Sequence, residues 1–269
     1  MSAFWIHFDI EFRHGLRNRN MLLMNYLFPL GFYVAVGGLM AQLNPYFRPN
    51  IVPAMVTFAA LAGTALGLPN PLVAARENGV FRSFKVNGVP AASILLIPAL
   101  STILHVVVSS TIIAATARPL FHAPVPVDWA GFALFVLLTA FALTGLGLLI
   151  GVIAANVRAT ILWSQLLFLS SILLGGLMVP SGALPPAFRR VGLLLPTSYA
   201  VSVYRSLARR SVGSLPLTWS LLVLLSSGTL CFLLAAYLFN WDRQNATRRG
   251  HPLMALLALT PYIFGAILL

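Results

Sequence analysis

Six stretches of this chain, near residues 21–41, 51–74, 91–117, 129–155, 159–179 and 216–239, contain no Asp, Glu, Lys or Arg. A bilayer's hydrocarbon core takes roughly 20 apolar residues of helix, and each stretch reaches that length. Inside lipid every backbone N–H and C=O must be satisfied within the protein. Helices meet that demand within one segment, whereas barrel strands would alternate in polarity and be shorter. The stretches therefore predict an all-α integral membrane chain. A seventh apolar run, 253–269, is near the lower length limit and contains Pro261. It is read as a further span, with a helix lying on the membrane surface as the alternative.

The composition agrees. Only 8% of residues are charged and 59% are hydrophobic, where soluble domains average about a quarter charged. Seventeen Lys and Arg against five acids leave a formal charge of +12. In a soluble chain this would suggest nucleic acid. Here it fits basic segments beside anionic lipid, with the bilayer rather than nucleic acid as partner. The lone Cys231 lies in an apolar run and excludes a disulfide framework within one chain. Asp9, Glu11, Arg13 and Arg17 interrupt the N-terminal apolar residues, so no cleavable signal peptide is expected.

Basic residues orient the spans. With the N-terminus on the cytoplasmic side, inner segments hold ten Arg and Lys and outer segments seven. Five of those seven fall in residues 180–215, which Pro180, Pro185, Pro186 and Pro196 divide into pieces too short to span. In the second piece Ser198, Ser202, Arg205 and Arg209 share one helical face, and Ala200, Val203 and Leu207 another. That pattern predicts a pair of short helices dipping into the outer leaflet, with a solvated loop as the alternative. Residues 1–20 repeat Trp5, Phe8, Phe12 and Leu16 at helical spacing, the pattern of an amphipathic helix on the cytoplasmic surface, with an ordinary juxtamembrane helix that only anchors the chain as the alternative.

Several chemistries are missing. There is no G-x-x-x-x-G-K-[ST], and the one lysine, Lys85, follows no Gly-rich loop. The chain is therefore not expected to bind ATP by a P-loop or to act as an enzyme by itself. No metal-ligand spacing occurs, so no metal or other cofactor is expected in the chain. Apart from Cys231, His105 is the only ionisable group placed deep in a span. A single histidine there more often hydrogen bonds between helices than catalyses. Proton-coupled carriers commonly use intramembrane carboxylates, and the spans have none. Energy for uphill movement would then enter from outside the membrane.

The segment 75–90, ARENGVFRSFKVNGVP, is the charged exception between two apolar runs. Gly79 and Gly88 bracket about two helical turns. Phe81 and Phe84 would share a face, with Arg82 and Lys85 on a neighbouring one. Such a helix suits docking into a groove on a cytoplasmic partner; the alternative is a loop whose charges fix topology.

Here the sequence resembles the ABC-2 type exporter permeases. The R-E-x-G-x-x-R pattern of Arg76, Glu77, Gly79 and Arg82, ahead of Pro90, is similar to the family's segment after the second span. G-G-L-M-x-P at 175–180, L-P at 184–185, P-T-S-Y at 196–199 and Arg205 resemble its outer hairpin. The resemblance covers about residues 1–250 and implies a six-helix, type V exporter-like transmembrane domain over 21–250, with an outer re-entrant hairpin. It also implies a homodimer or heterodimer of permeases in a bacterial cytoplasmic membrane, served by cytoplasmic ABC ATPase subunits that bind ATP and Mg. By position, Arg76, Glu77, Gly79, Phe81, Arg82, Phe84 and Lys85 would form the coupling segment, Phe81 and Phe84 filling the ATPase groove. The second and fifth spans usually line the family's route, which makes Thr57 and Thr64 in one and Trp163, Gln165 and Phe168 in the other candidates, with Asn25 in the first span beside them; helix packing is their alternative role. Pro180, Pro185, Pro196, Tyr199 and Arg205 would shape the hairpin. Segment 251–269 departs from the family, whose members usually stop after the sixth span. The expected cargo is an amphiphile: a drug-like molecule, a lipid or a lipid-linked glycan. An ion-gradient carrier built around His105 is the second reading, and a membrane enzyme or scaffold the third.

Overall fold

The computed structural model describes residues 3–43, 45–179, 182, 184–241 and 250–268. These residues form helices and turns, with no strand among them. Six helices have the length and composition to cross a membrane: Arg19–Met40, Phe47–Glu77, Ala91–Phe121, Trp129–Ile153, Val157–Leu174 and Leu217–Leu238. Their ends follow local chemistry. Asp128 Oδ1 accepts the Gly131 N–H at 2.9 Å at the start of the fourth span. Asn156 Oδ1 accepts the Ala159 N–H at 2.8 Å at the start of the fifth. Pro90 and Pro216 precede the third and sixth in extended backbone. Each supplies a helix start where the first N–H groups have no carbonyl to bond.

The second span is the centre of the bundle. From Ile51 to Ala65 every residue is buried, against the third, fourth and fifth spans and part of the hairpin. Phe58 stacks on Phe32 of the first span with centroids 4.1 Å apart and also meets Phe28 and Phe168. The fourth span approaches closely because Gly147 and Gly151 face it. A Cβ on Gly147 would strike the carbonyl oxygen of Thr64, and one on Gly151 would press on Pro69 and Leu72. These two glycines, spaced as G-x-x-x-G, therefore make a contact within one chain.

The hairpin departs from the expected pair of interfacial helices. Pro186–Gly192 is a surface arm, with Phe188 and Val191 exposed. Pro196–Val203 is driven into the protein, buried except at Ser198. Its polar face is satisfied internally: Ser202 Oγ donates to Leu215 O at 2.9 Å and accepts the Leu215 N–H at 3.0 Å. From Tyr199, near Val223 of the sixth span, the buried arm climbs to Ala208, whose carbonyl accepts the N–H groups of Val127 and Asp128. A broken helix at membrane depth is tolerated where protein covers it.

The C-terminal segment Pro252–Leu268 runs antiparallel to the sixth span. Gly250 lies against Tyr237 and Leu238, Ala258 clusters with Cys231, Leu234 and Ala235, and Gly265 meets Val223 and Tyr199. Between them Tyr262 donates its hydroxyl to Ser227 Oγ at 2.7 Å. The first eight residues are 3₁₀ and the last nine α. At ~2.0 and ~1.5 Å per residue the segment reaches about 30 Å, the thickness of a bilayer core. The tighter winding lengthens a run that would be short as α-helix alone.

Candidate functional site

The charged segment folds as a helical corner. Pro69–Glu77 continues the second span, Gly79 turns the chain with φ +74°, and Val80–Val86 forms two turns before Gly88, again at φ +74°. Only glycine enters that left-handed region without a Cβ penalty. Arg76 fixes the corner to the fourth span: Nη1 donates to Val152 O at 2.7 Å and Nη2 to Ala154 O. Those carbonyls end a helix, where bonding partners are lacking and positive charge is favoured.

The two phenylalanines do not project outward. Phe81 is 5% exposed and packs on Phe239 with centroids 5.6 Å apart. Phe84 is half-buried and meets His7 of the N-terminal helix at 6.0 Å. Both face inward in this conformation, toward the protein rather than toward a partner's groove. The physical reason is that their shared face points toward the ends of the sixth span and the N-terminal helix. The outward surface instead carries Glu77, Val80, Arg82, Ser83, Lys85 and Val86, with Val86 83% exposed. Sequence reasoning passed over Val80 and Val86. Their signal was available, since turning Phe81 and Phe84 inward leaves positions 80 and 86 outside.

The N-terminal helix Ala3–Arg17 links this corner to the third span. Beyond the Phe84 contact, Phe12 stacks on His105 at 4.7 Å, and Gly15 lies so close that a Cβ would strike the imidazole. Tyr26 Oη is 2.7 Å from His105 Nδ1. His105 is thus a packed junction between three helices. Of the predicted stripe, Phe8 and Phe12 are half-buried, while Trp5 and Leu16 are exposed.

The candidate pathway residues separate into two sets. Asn25, Thr57, Thr64 and Phe168 are buried, so none opens onto an accessible route in this state. Trp163 and Gln165 are exposed, on a fifth-span face continued by Leu162, Leu166, Leu169 and Leu173. The structure does not bring the two sets together on one open surface. Asn25 and Thr64 occupy facing π-helical turns, Leu23–Leu27 and Ala62–Gly67. Thr64 Oγ1 bonds back to Ala60 O at 2.7 Å. The side-chain oxygens of Asn25 and Thr57 are buried without a hydrogen-bond partner.

In the hairpin, Pro185 and Pro196 start the two arms. Tyr199 donates to Leu193 O at 2.8 Å, and Ser198 to Gly192 O at 2.7 Å. Arg205 Nη2 donates to Asn50 Oδ1 at 2.9 Å, tying the hairpin to the start of the second span. Pro180 lies outside the described residues.

This arrangement, six spans with a charged corner after the second and a buried hairpin after the fifth, has a match among known families. The family model described as ABC-2 type transporter matches residues 2–208. The chain belongs to that family. It is a multi-pass membrane protein and a permease component of an ABC transporter, and ABC-2 membership implies association with an ABC ATPase. No curated protein sequence matches the chain. The matched region of this ABC-2 permease includes the N-terminal helix, the corner and both hairpin arms, and ends before the sixth span.

Proposed function

We propose that this ABC-2 permease is the membrane subunit of an ATP-driven exporter for an amphiphilic substrate. It would work as a dimer in the cytoplasmic membrane of a bacterium, with the N-terminus inside. Val80–Val86 would seat on the cytoplasmic ATPase, where ATP and Mg²⁺ bind. The observation that carries this reading is the corner itself, clamped by Arg76 to the fourth span while Val80 and Val86 stay exposed. An apolar side chain beyond the span ends gains by burial against a partner. A push there would enter the second span directly, because that helix ends at Glu77.

The facing π-helical turns of the first and second spans support a point of give, since a π-bulge already loosens the regular ladder. Re-registering there would turn Thr57 and Thr64 toward a pathway between two copies. The charge-free apolar runs and the largely apolar fifth-span face with Trp163 and Gln165 favour a greasy cargo. His105 packs on Phe12 and pairs through Nδ1 with Tyr26, the behaviour of a group that joins helices, and the apolar runs carry no carboxylate to relay a proton.

The test is purification of the tagged permease from its native host, with and without Glu77→Ala plus Arg82→Ala, or Val86→Asp. The expected result is recovery of a P-loop ATPase with the parent, several-fold less with either variant, and ATP-dependent uptake of a fluorescent amphiphile in inverted vesicles. A parent that purifies alone and moves the amphiphile without ATP would overturn the proposal.

A further inference from the structure

A cavity of about 550 Å³ opens on the face opposite Val80–Val86, where the third span ends and the buried hairpin arm emerges. Arg118, His122 and Arg209 line it, together with the chain from Ala123 to Val127. Its walls are tied together. The N–H groups of Val127 and Asp128 donate to Ala208 O at 2.8 and 3.0 Å, and Arg209 Nη1 donates to Val125 O at 3.0 Å. His122 holds the corner with φ +52°, a conformation uncommon for a residue with a side chain.

The charge on this face is unbalanced. Asp128 is the one carboxylate in the sequence between Glu77 and Asp242, and Arg210 occupies it with Nη2 2.9 Å from Oδ2. Arg118 and Arg209 therefore line one cavity with no carboxylate partner among the described residues. Two guanidinium groups lining one cavity favour an anion there that both can reach. Leu120, Val127 and Trp129, all exposed, flank the opening, and an interfacial tryptophan beside apolar side chains suits an acyl chain.

We propose that this cavity binds a phosphate-bearing anion, its phosphate held between Arg118 and Arg209. A planar guanidinium matches phosphate with paired donors. The same chemistry could come from a phospholipid headgroup or from free phosphate. The site is independent of the ATPase assignment.

The test uses the purified full-length permease in nanodiscs of phosphatidylcholine, with or without phosphatidylglycerol. Retained lipid is counted by native mass spectrometry and Tm is recorded in parallel. The parent should retain phosphatidylglycerol preferentially and melt higher with it. Arg118→Gln should weaken that retention about tenfold, Arg118→Lys less, and Arg190→Gln not at all. Arg118 is exposed, so its loss leaves the fold intact, whereas Arg209 also holds Val125 and is the secondary variant. An equal rise in Tm from millimolar inorganic phosphate in phosphatidylcholine discs, lost in Arg118→Gln, would assign the site to the free anion. No response of the parent to either probe, or retention unchanged in Arg118→Gln, would overturn the proposal.

Discussion

Arg76 shows how much one side chain can decide. Its two bonds close the fourth span and position the corner, so Arg76→Ala should cost about 1.5–3 kcal/mol, the range for hydrogen bonds involving a charged group. A lower Tm, together with less ATPase recovered, would bear this out; an unchanged Tm would show that the corner stands without the clamp. Asp128 carries a different prediction. The Gly131 N–H, the Arg210 guanidinium beside it and the Ala130 N–H hold its carboxyl below the usual carboxylate range. A carboxyl depressed by folding contributes stability above its unfolded pKa, and that contribution is lost as pH falls through the folded value. Acidification should therefore loosen the contact between the fourth span and the hairpin. Asp128→Asn should flatten that part of a Tm-against-pH profile; a variant with the parent's profile would refute the assignment.

At the scale of elements, the C-terminal segment is the part with most to test. Tyr262→Phe removes one buried hydrogen bond to Ser227 and should cost about 1 kcal/mol. Gly265→Val would press on Tyr199, disturbing the hairpin from the other side of the sixth span. Topology is read by labelling single cysteines with a membrane-impermeant maleimide, with buried Cys231 as a silent background. Leu268→Cys should label from the same side as Arg190→Cys, and Val86→Cys from the opposite side. Leu268→Cys labelling with Val86→Cys instead would show that the segment folds back without crossing. The N-terminal helix was legible as an element from its spacing, yet its docking on His105 was not. That contact depends on Gly15, which a pattern of apolar side chains does not register.

For the whole molecule, the burial of the second span sets the clearest expectation. Thr57→Cys should resist a small permeant maleimide in the isolated permease and react when the ATPase turns over ATP. Resistance in both states would place the route elsewhere, with the exposed fifth-span face as the remaining surface. The charge distribution is also a property of the whole. Among the described residues, seven arginines and one aspartate lie on the hairpin face, and seven basic and three acidic residues on the other, so both faces are net positive.

The sequence alone determined the six spans, because lipid admits no charge and no unpaired backbone, and that rule acts on each run separately. It also determined the charged corner and the two proline-started arms, since glycine and proline restrict the backbone locally. Only the tertiary structure decided which way those elements face. Phe81 and Phe84 share a helical side in either case, but whether it meets a partner or the protein's own sixth span depends on residues far along the chain. The same holds for the hairpin. Ser202 looks like part of a wet face until Leu215 folds over it and satisfies both its donor and its acceptor.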